Sequence, residues 1–177
     1  MLFLLTAILV SPVIAGAALA QETTDKPFGG EKDVSFADKV WKQMDGYNEW
    51  RLQTDYYEGT RPHGAILRTY YSMISVDDTP FHVIVKENYG GEGATMETVA
   101  DSPGDYLKSV TVMVQRKPGY DEANNNWFWV KYAPDGSIME NEKGMALAGR
   151  VAKGMDAGCI ACHATAGGND YVFTNDD

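Results

Sequence analysis

Cys159-Ile160-Ala161-Cys162-His163 is followed only by residues 164–177. The spacing C-x-x-C-H is the pattern of covalent c-type haem attachment. Each thiol adds to one haem vinyl group as a thioether, and the imidazole ligates the iron. On a helical turn, positions i, i+3 and i+4 share a face. Cys159, Cys162 and His163 therefore point the same way and can grip one flat macrocycle. These are the only two cysteines in the 177-residue chain. A thioredoxin-like redox pair needs most of a domain after it, and too few residues follow here. A zinc site needs a fourth ligand, which His63 or His82 could supply. A structural disulfide is sterically possible in an oxidising compartment. The spacing favours one covalently bound haem c, with iron on His163, over these alternatives.

Residues 1–20 are apolar and carry no charge, and Ala18-Leu19-Ala20 precedes Gln21 as an A-x-A-like cleavage site. Pro12 and Gly16 interrupt the stretch, so it reads as a secretory signal peptide rather than a membrane span. It has no Lys or Arg near its start, which leaves retention as an anchor open. An exported, periplasmic protein agrees with haem c, which bacteria attach outside the cytoplasm. Every charged residue lies after residue 20, so the exported chain keeps the formal charge of −10. Such acidity argues against nucleic acid and anionic lipid as partners and is compatible with a basic redox partner.

The exported part has the size of one domain. Residues 21–40 read as a flexible leader and the start of an N-terminal helix. Residues 41–177 read as a single haem domain. Ser35 to Asp38 resembles a capping box, which predicts a helix running to about Met44 with Phe36, Val40 and Trp41 on its packed face. Tyr47 to Pro62 reads as irregular. Strands are expected from His63-Gly64 to Ser72, over Phe81–Glu87, over Ser109–Arg116 and over Trp127–Tyr132. Ser137 to Met139 could extend a hairpin. The long glycine-rich stretch from Asn88 to Lys108 is expected to hold a helical turn near Thr95 to Val99. By pattern alone, Lys86 alternates with Ile84 on a short strand and reads as a solvated edge residue. The fold class is α+β: a mostly antiparallel sheet with flanking helices and a C-terminal haem attachment helix.

Several segments, in order, resemble the cytochrome P460 family, which includes the β-type cytochromes c′. His63-Gly64 precedes a strand carrying Arg68. Phe81-His82-Val83-Ile84-Val85-Lys86-Glu87 resembles the family strand that ends Val-Lys-Glu. Val110-Thr111-Val112-Met113 is followed by Trp127-Phe128-Trp129, and the haem motif is followed by Asp170-Tyr171-Val172-Phe173-Thr174. The resemblance spans roughly Trp41 to Thr174.

The resemblance implies a homodimeric, mostly antiparallel β protein holding one haem c. In the P460 branch a lysine bonds to the porphyrin edge, and those proteins oxidise hydroxylamine and handle nitric oxide. Lys86 matches that lysine, which reverses its reading as an edge residue. In the cytochrome c′ branch the haem lacks the cross-link and binds nitric oxide or carbon monoxide. Arg68 matches an arginine near the distal pocket. His163 is then the sole protein ligand, with a sixth position that is empty or holds water. Three functions follow: a hydroxylamine oxidase, a binder of a diatomic gas, and an electron carrier whose sixth ligand is Met96 or Met113.

Overall fold

Alternation decides the architecture. In each long strand, alternate side chains go to opposite faces of a sheet, and here both sets are largely apolar, so both faces must be covered. The computed structural model describes residues 26–175. The expected signal peptide and the first residues of the leader lie outside the described residues. In chain order the elements are α1 (Glu31–Gln43), β1 (Leu52–Gln53), β2 (Tyr57–Glu58), β3 (Ile66–Val76), β4 (Thr79–Tyr89), α2 (Met96–Asp101), α3 (Pro103–Tyr106), β5 (Leu107–Gln115), β6 (Trp127–Tyr132), β7 (Ala148–Gly149) and α4 (Cys159–His163). The class is α+β, as expected.

The sheet runs β1-β3-β4-β5-β6-β7, with β2 also paired to β3, and every pairing is antiparallel. β3 and β4 are joined by Asp77 and Asp78 alone. Both have positive φ, 49° and 59°, as a two-residue turn of type I′ requires. This tight turn carries the strands on for eleven residues each, further than the sequence pattern indicates.

One face buries Val83 and Val85 of β4, Val110, Val112 and Val114 of β5, and Phe128, Val130 and Tyr132 of β6. α1 covers it with Ala37, Val40 and Met44, and Phe36 meets Phe128 edge-on at 4.9 Å between ring centroids. The Tyr132 hydroxyl donates to the Ala37 carbonyl at 2.7 Å and pins the helix. The other face holds Met113, Trp127 and Trp129. It is covered by Phe28, Val151, Ala152, Ile160 and Val172, that is, by the segment carrying the haem motif.

Three local expectations change. α1 starts at Glu31 after Gly30, without a side-chain cap. Phe28 is buried on the second face, and the Gly29 N–H donates to Ala148 O at 2.7 Å. The chain is thus fixed before Ser35, and the helix begins earlier than the capping-box pattern suggests. The irregular stretch after Tyr47 contains β1 and β2, two short strands against β3. The glycine-rich loop holds the expected helical turn as α2, capped by a reciprocal box between Thr95 and Thr98, and adds a second helix, α3, opened by Pro103. A bridge between Tyr132 and Ile138 extends β6 as expected.

Phe128 is fully buried between α1 and the sheet. Phe128→Ala should cost about 3–5 kcal/mol in denaturant unfolding. Met73→Ala, at a site 56% exposed on β3, should stay within about 0.5 kcal/mol.

Candidate haem site

The second sheet face and the C-terminal segment enclose a cavity of 340 Å³. α4 is a single turn that presents Cys159, Cys162 and His163 to this cavity. Gly158 precedes it with φ 128°, and a Cβ there would collide with Ala152. Only glycine allows the turn to sit this close to Ala152. Cys159 and Cys162 are free thiols, so a structural disulfide is not formed. Burial pushes the Cys159 thiol up to about 11. Among the described residues, no three His, Cys, Asp or Glu side chains form a metal-binding group, so the geometry does not form a zinc site. His82 is exposed on β4, outside the cavity lining.

His163 is buried and its Nδ1 lies 2.7 Å from the carbonyl oxygen of Tyr171. A carbonyl can only accept, so Nδ1 carries the proton and Nε2 keeps its lone pair. Burial lowers the pKa of the ring, which favours this neutral form. A carbonyl oxygen accepting from the other ring nitrogen fixes tautomer and orientation in metal-ligating histidines. Tyr171 takes φ 70°, uncommon for a bulky residue. Its hydroxyl donates to Ala123 O at 3.2 Å and to Asn124 Oδ1 at 3.1 Å. The neighbouring carbonyl, Asp170 O, accepts from Trp127 Nε1 at 2.9 Å. These contacts hold a strained residue whose carbonyl points at His163. Trp129 and Phe173 flank the imidazole at 4.8 Å and 5.3 Å between centroids. Thr174 Oγ1 hydrogen-bonds to the Tyr71 hydroxyl and ties the segment to β3.

Lys86 lines the same cavity. Its strand is interior, paired with β3 and β5, so Lys86 is not on a sheet edge. Burial lowers its pKa, and no acidic group lies within ion-pair distance of it among the described residues. Register places Thr111 beside Lys86 and Lys131 beside Thr111. Lys86, Thr111 and Lys131 therefore form one row across three strands, all lining the cavity. Lys131 was not singled out by the sequence, although it shares a strand phase with Trp127 and Trp129.

Arg68 does not join this cluster. It lies on the other face, where its guanidinium stands over the Tyr56 and Tyr70 rings at 4.9 Å and 5.5 Å, and it lines a separate cavity of 680 Å³. Its register partner Glu87 is buried there and accepts from Tyr47 at 2.8 Å, from Tyr70 at 2.7 Å and from Tyr89. One position apart on β3 and β4, side chains change faces, which is why Lys86 faces the haem motif while Glu87 and its partner Arg68 do not. Met113 lines the haem cavity. Met96 begins α2 and is 43% exposed, outside that lining.

His63, which the sequence suggests only as a fourth ligand of a zinc site, does enter the cavity. Its ring stands 6.1 Å from that of His163. The backbone beside it touches β4: Gly64 is so close to Tyr89 O and N that any side chain would clash. His63 Nδ1 lies 2.8 Å from Asn88 Oδ1. Asn88 uses its amide nitrogen toward Lys86 O at 2.9 Å, Ser109 O at 3.2 Å and Thr111 Oγ1 at 3.2 Å.

The residues present fit a haem. A mainly apolar cavity takes in two thiols and an imidazole lone pair from one turn. Trp129, which lines it, has a buried indole N–H with no protein partner among the described residues, an unmet donor of the kind that marks a missing ligand group. In comparison with known proteins, the family model described as Cytochrome P460 matches residues 44–174. No curated protein and no solved structure matches the chain.

Gly64→Ala must push the 59–65 loop away from β4. It should destabilise the protein by about 1–3 kcal/mol and break the His63–Asn88 hydrogen bond. Thermal unfolding and the imidazole resonances of His63 measure the two effects.

Proposed function

The chain belongs to the cytochrome P460 family and is a c-type haem cytochrome; on that basis we propose that it oxidises hydroxylamine, and handles nitric oxide, at one covalently bound haem. Haem iron supplies the site for the substrate nitrogen and the redox change that takes its electrons. The protein's own groups supply everything else. Cys159 and Cys162 would hold the macrocycle by thioethers formed with its vinyl groups. His163 offers Nε2 to the iron because Tyr171 O holds Nδ1–H. Trp129 and Phe173 pack around the imidazole and keep water from it.

The observation that carries this reading is Lys86. It has no ion-pair partner among the described residues, and it lines an apolar cavity on the sheet face that the haem motif covers. Burial favours its neutral form, the one with a lone pair for bonding to carbon. A bond to the porphyrin edge would alter the iron's electronics, one of the levers a protein has over haem. Arg68 stands on the opposite face and has no part in this proposal.

One observation favours the second reading, a binder of nitric oxide or a similar gas. No aspartate or glutamate lines the cavity among the described residues. Oxidation of hydroxylamine releases protons, and a gas binder needs no carboxylate to receive them. For either function we read the protein as exported, homodimeric and, as an enzyme, passing electrons to a redox partner protein.

Proteolysis with mass spectrometry tests the proposal. One haem should join the Cys159–Cys162 peptide to the Lys86 peptide. Lys86→Ala should release the second peptide and abolish turnover with hydroxylamine and an artificial acceptor, while nitric oxide still binds. Haem found on the cysteine peptide alone would move the assignment to the gas binder.

A further inference from the structure

His63 and His163 are presented alike. Each imidazole has Nδ1 against an oxygen, Asn88 Oδ1 at 2.8 Å and Tyr171 O at 2.7 Å. The tautomer of His163 follows from its carbonyl partner. That of His63 follows from the Asn88 amide. Its nitrogen faces the two carbonyls of Lys86 and Ser109, which can only accept, so that end must be the NH₂ group and the other end the oxygen. The Gly64 N–H also points at this oxygen, at 3.4 Å. His63 Nδ1 is therefore the donor, and its Nε2, like that of His163, has a free lone pair.

Both rings line one cavity, with centroids 6.1 Å apart and planes at 80°. Imidazoles that bind one metal from opposite sides, through nitrogens about 2.0–2.1 Å from it, have centroids roughly 6 Å apart. Second-sphere acceptors on the remote nitrogen are the usual mark of a ligating histidine, and here both rings have one.

We propose that His63 is a second axial ligand of the haem iron and closes the side opposite His163 in the resting protein. This departs from the open sixth position that the family resemblance implies. It also excludes Met113 as the resting ligand, although Met113 lines the same cavity. His163 sits on a helical turn, walled by Trp129 and Phe173. His63 sits on a loop between β2 and β3, half-buried, held by the Asn88 contact and by the turn bond from its N–H to Thr60 O at 3.0 Å. His63 is thus the ligand that gives way, and an incoming nitrogenous molecule or gas has to displace it. The inference rests on haem c being bound, and holds whether that molecule is hydroxylamine or a diatomic gas.

The purified haem-loaded protein tests it directly. Its ferric form should give a low-spin, six-coordinate optical and electron paramagnetic resonance spectrum of two-imidazole type, without a methionine-sulfur charge-transfer band. His63→Ala should turn high-spin, and added imidazole should restore the low-spin spectrum. Carbon monoxide should bind the ferrous variant at least roughly tenfold faster, because the competent state no longer has to be released from the histidine. A high-spin wild-type ferric spectrum overturns the proposal without any variant, as does a low-spin spectrum that persists in His63→Ala. These readouts are independent of hydroxylamine turnover and of the Lys86 digest. A two-imidazole spectrum in a protein that does not oxidise hydroxylamine sustains the second ligand and removes the enzyme.

Discussion

Everything about the site depends on a sheet that is apolar on both faces. Valines 83, 85, 110, 112 and 114 give one face to α1. The intervening residues, among them Lys86, Thr111, Met113, Trp129 and Lys131, give the other to the haem motif. Burial of the first set drives folding, at about 25 cal/mol for each Å² of apolar surface. Once that face is packed, the positions of the second set follow without further choice. The wall formed by Lys86, Thr111, Met113, Trp129 and Lys131 is therefore built on strands, while the haem motif faces it from α4 and His63 from a loop.

The hydrogen bond from His163 to Tyr171 O shows how the two halves of the site are connected. The ligand lies on α4, its acceptor eight residues on, and the acceptor's own anchors at Ala123, Asn124 and Trp127. A strained backbone at Tyr171 is stable because three surrounding contacts determine it. The family's Asp-Tyr-Val-Phe-Thr run thus acts mainly through backbone groups and packing, not through a reactive side chain.

Much of this was legible in the sequence, and the reasons differ by element. β6 was read with its observed limits because its boundaries are marked by an asparagine run and by Pro134-Asp135-Gly136. The pattern places β3 too early, from His63-Gly64 to Ser72, and starts β4 only at Phe81, because the real turn is the pair of left-handed aspartates alone. β1 and β2 carry no pattern of their own and exist only because β3 offers them an edge. Lys86 shows the limit of local reading. Alternation makes it a surface residue, and only the neighbours β3 and β5 make its strand interior. Arg68 shows the converse: its order along the chain matched the family, but strand parity puts its side chain behind the sheet. The roles of Asn88 and Tyr171 depend on hydrogen bonds between distant segments, which no spacing encodes.

Lys86 and Glu87 are adjacent, opposite in charge and committed to opposite sides of the sheet. A slip of β4 by one residue would exchange them. The carboxylate would then meet the apolar cavity, taking Tyr89 of the same strand with it, and the amine would meet the Tyr47 and Tyr70 hydroxyls, which are aimed to donate to an acceptor. Both environments would be wrong at once, and the valines would be turned outward with them. The tyrosine cluster around Glu87 therefore acts as a proofreading device for strand alignment. It has no contact with the haem cavity, yet it guarantees which residue of the Lys-Glu pair arrives there.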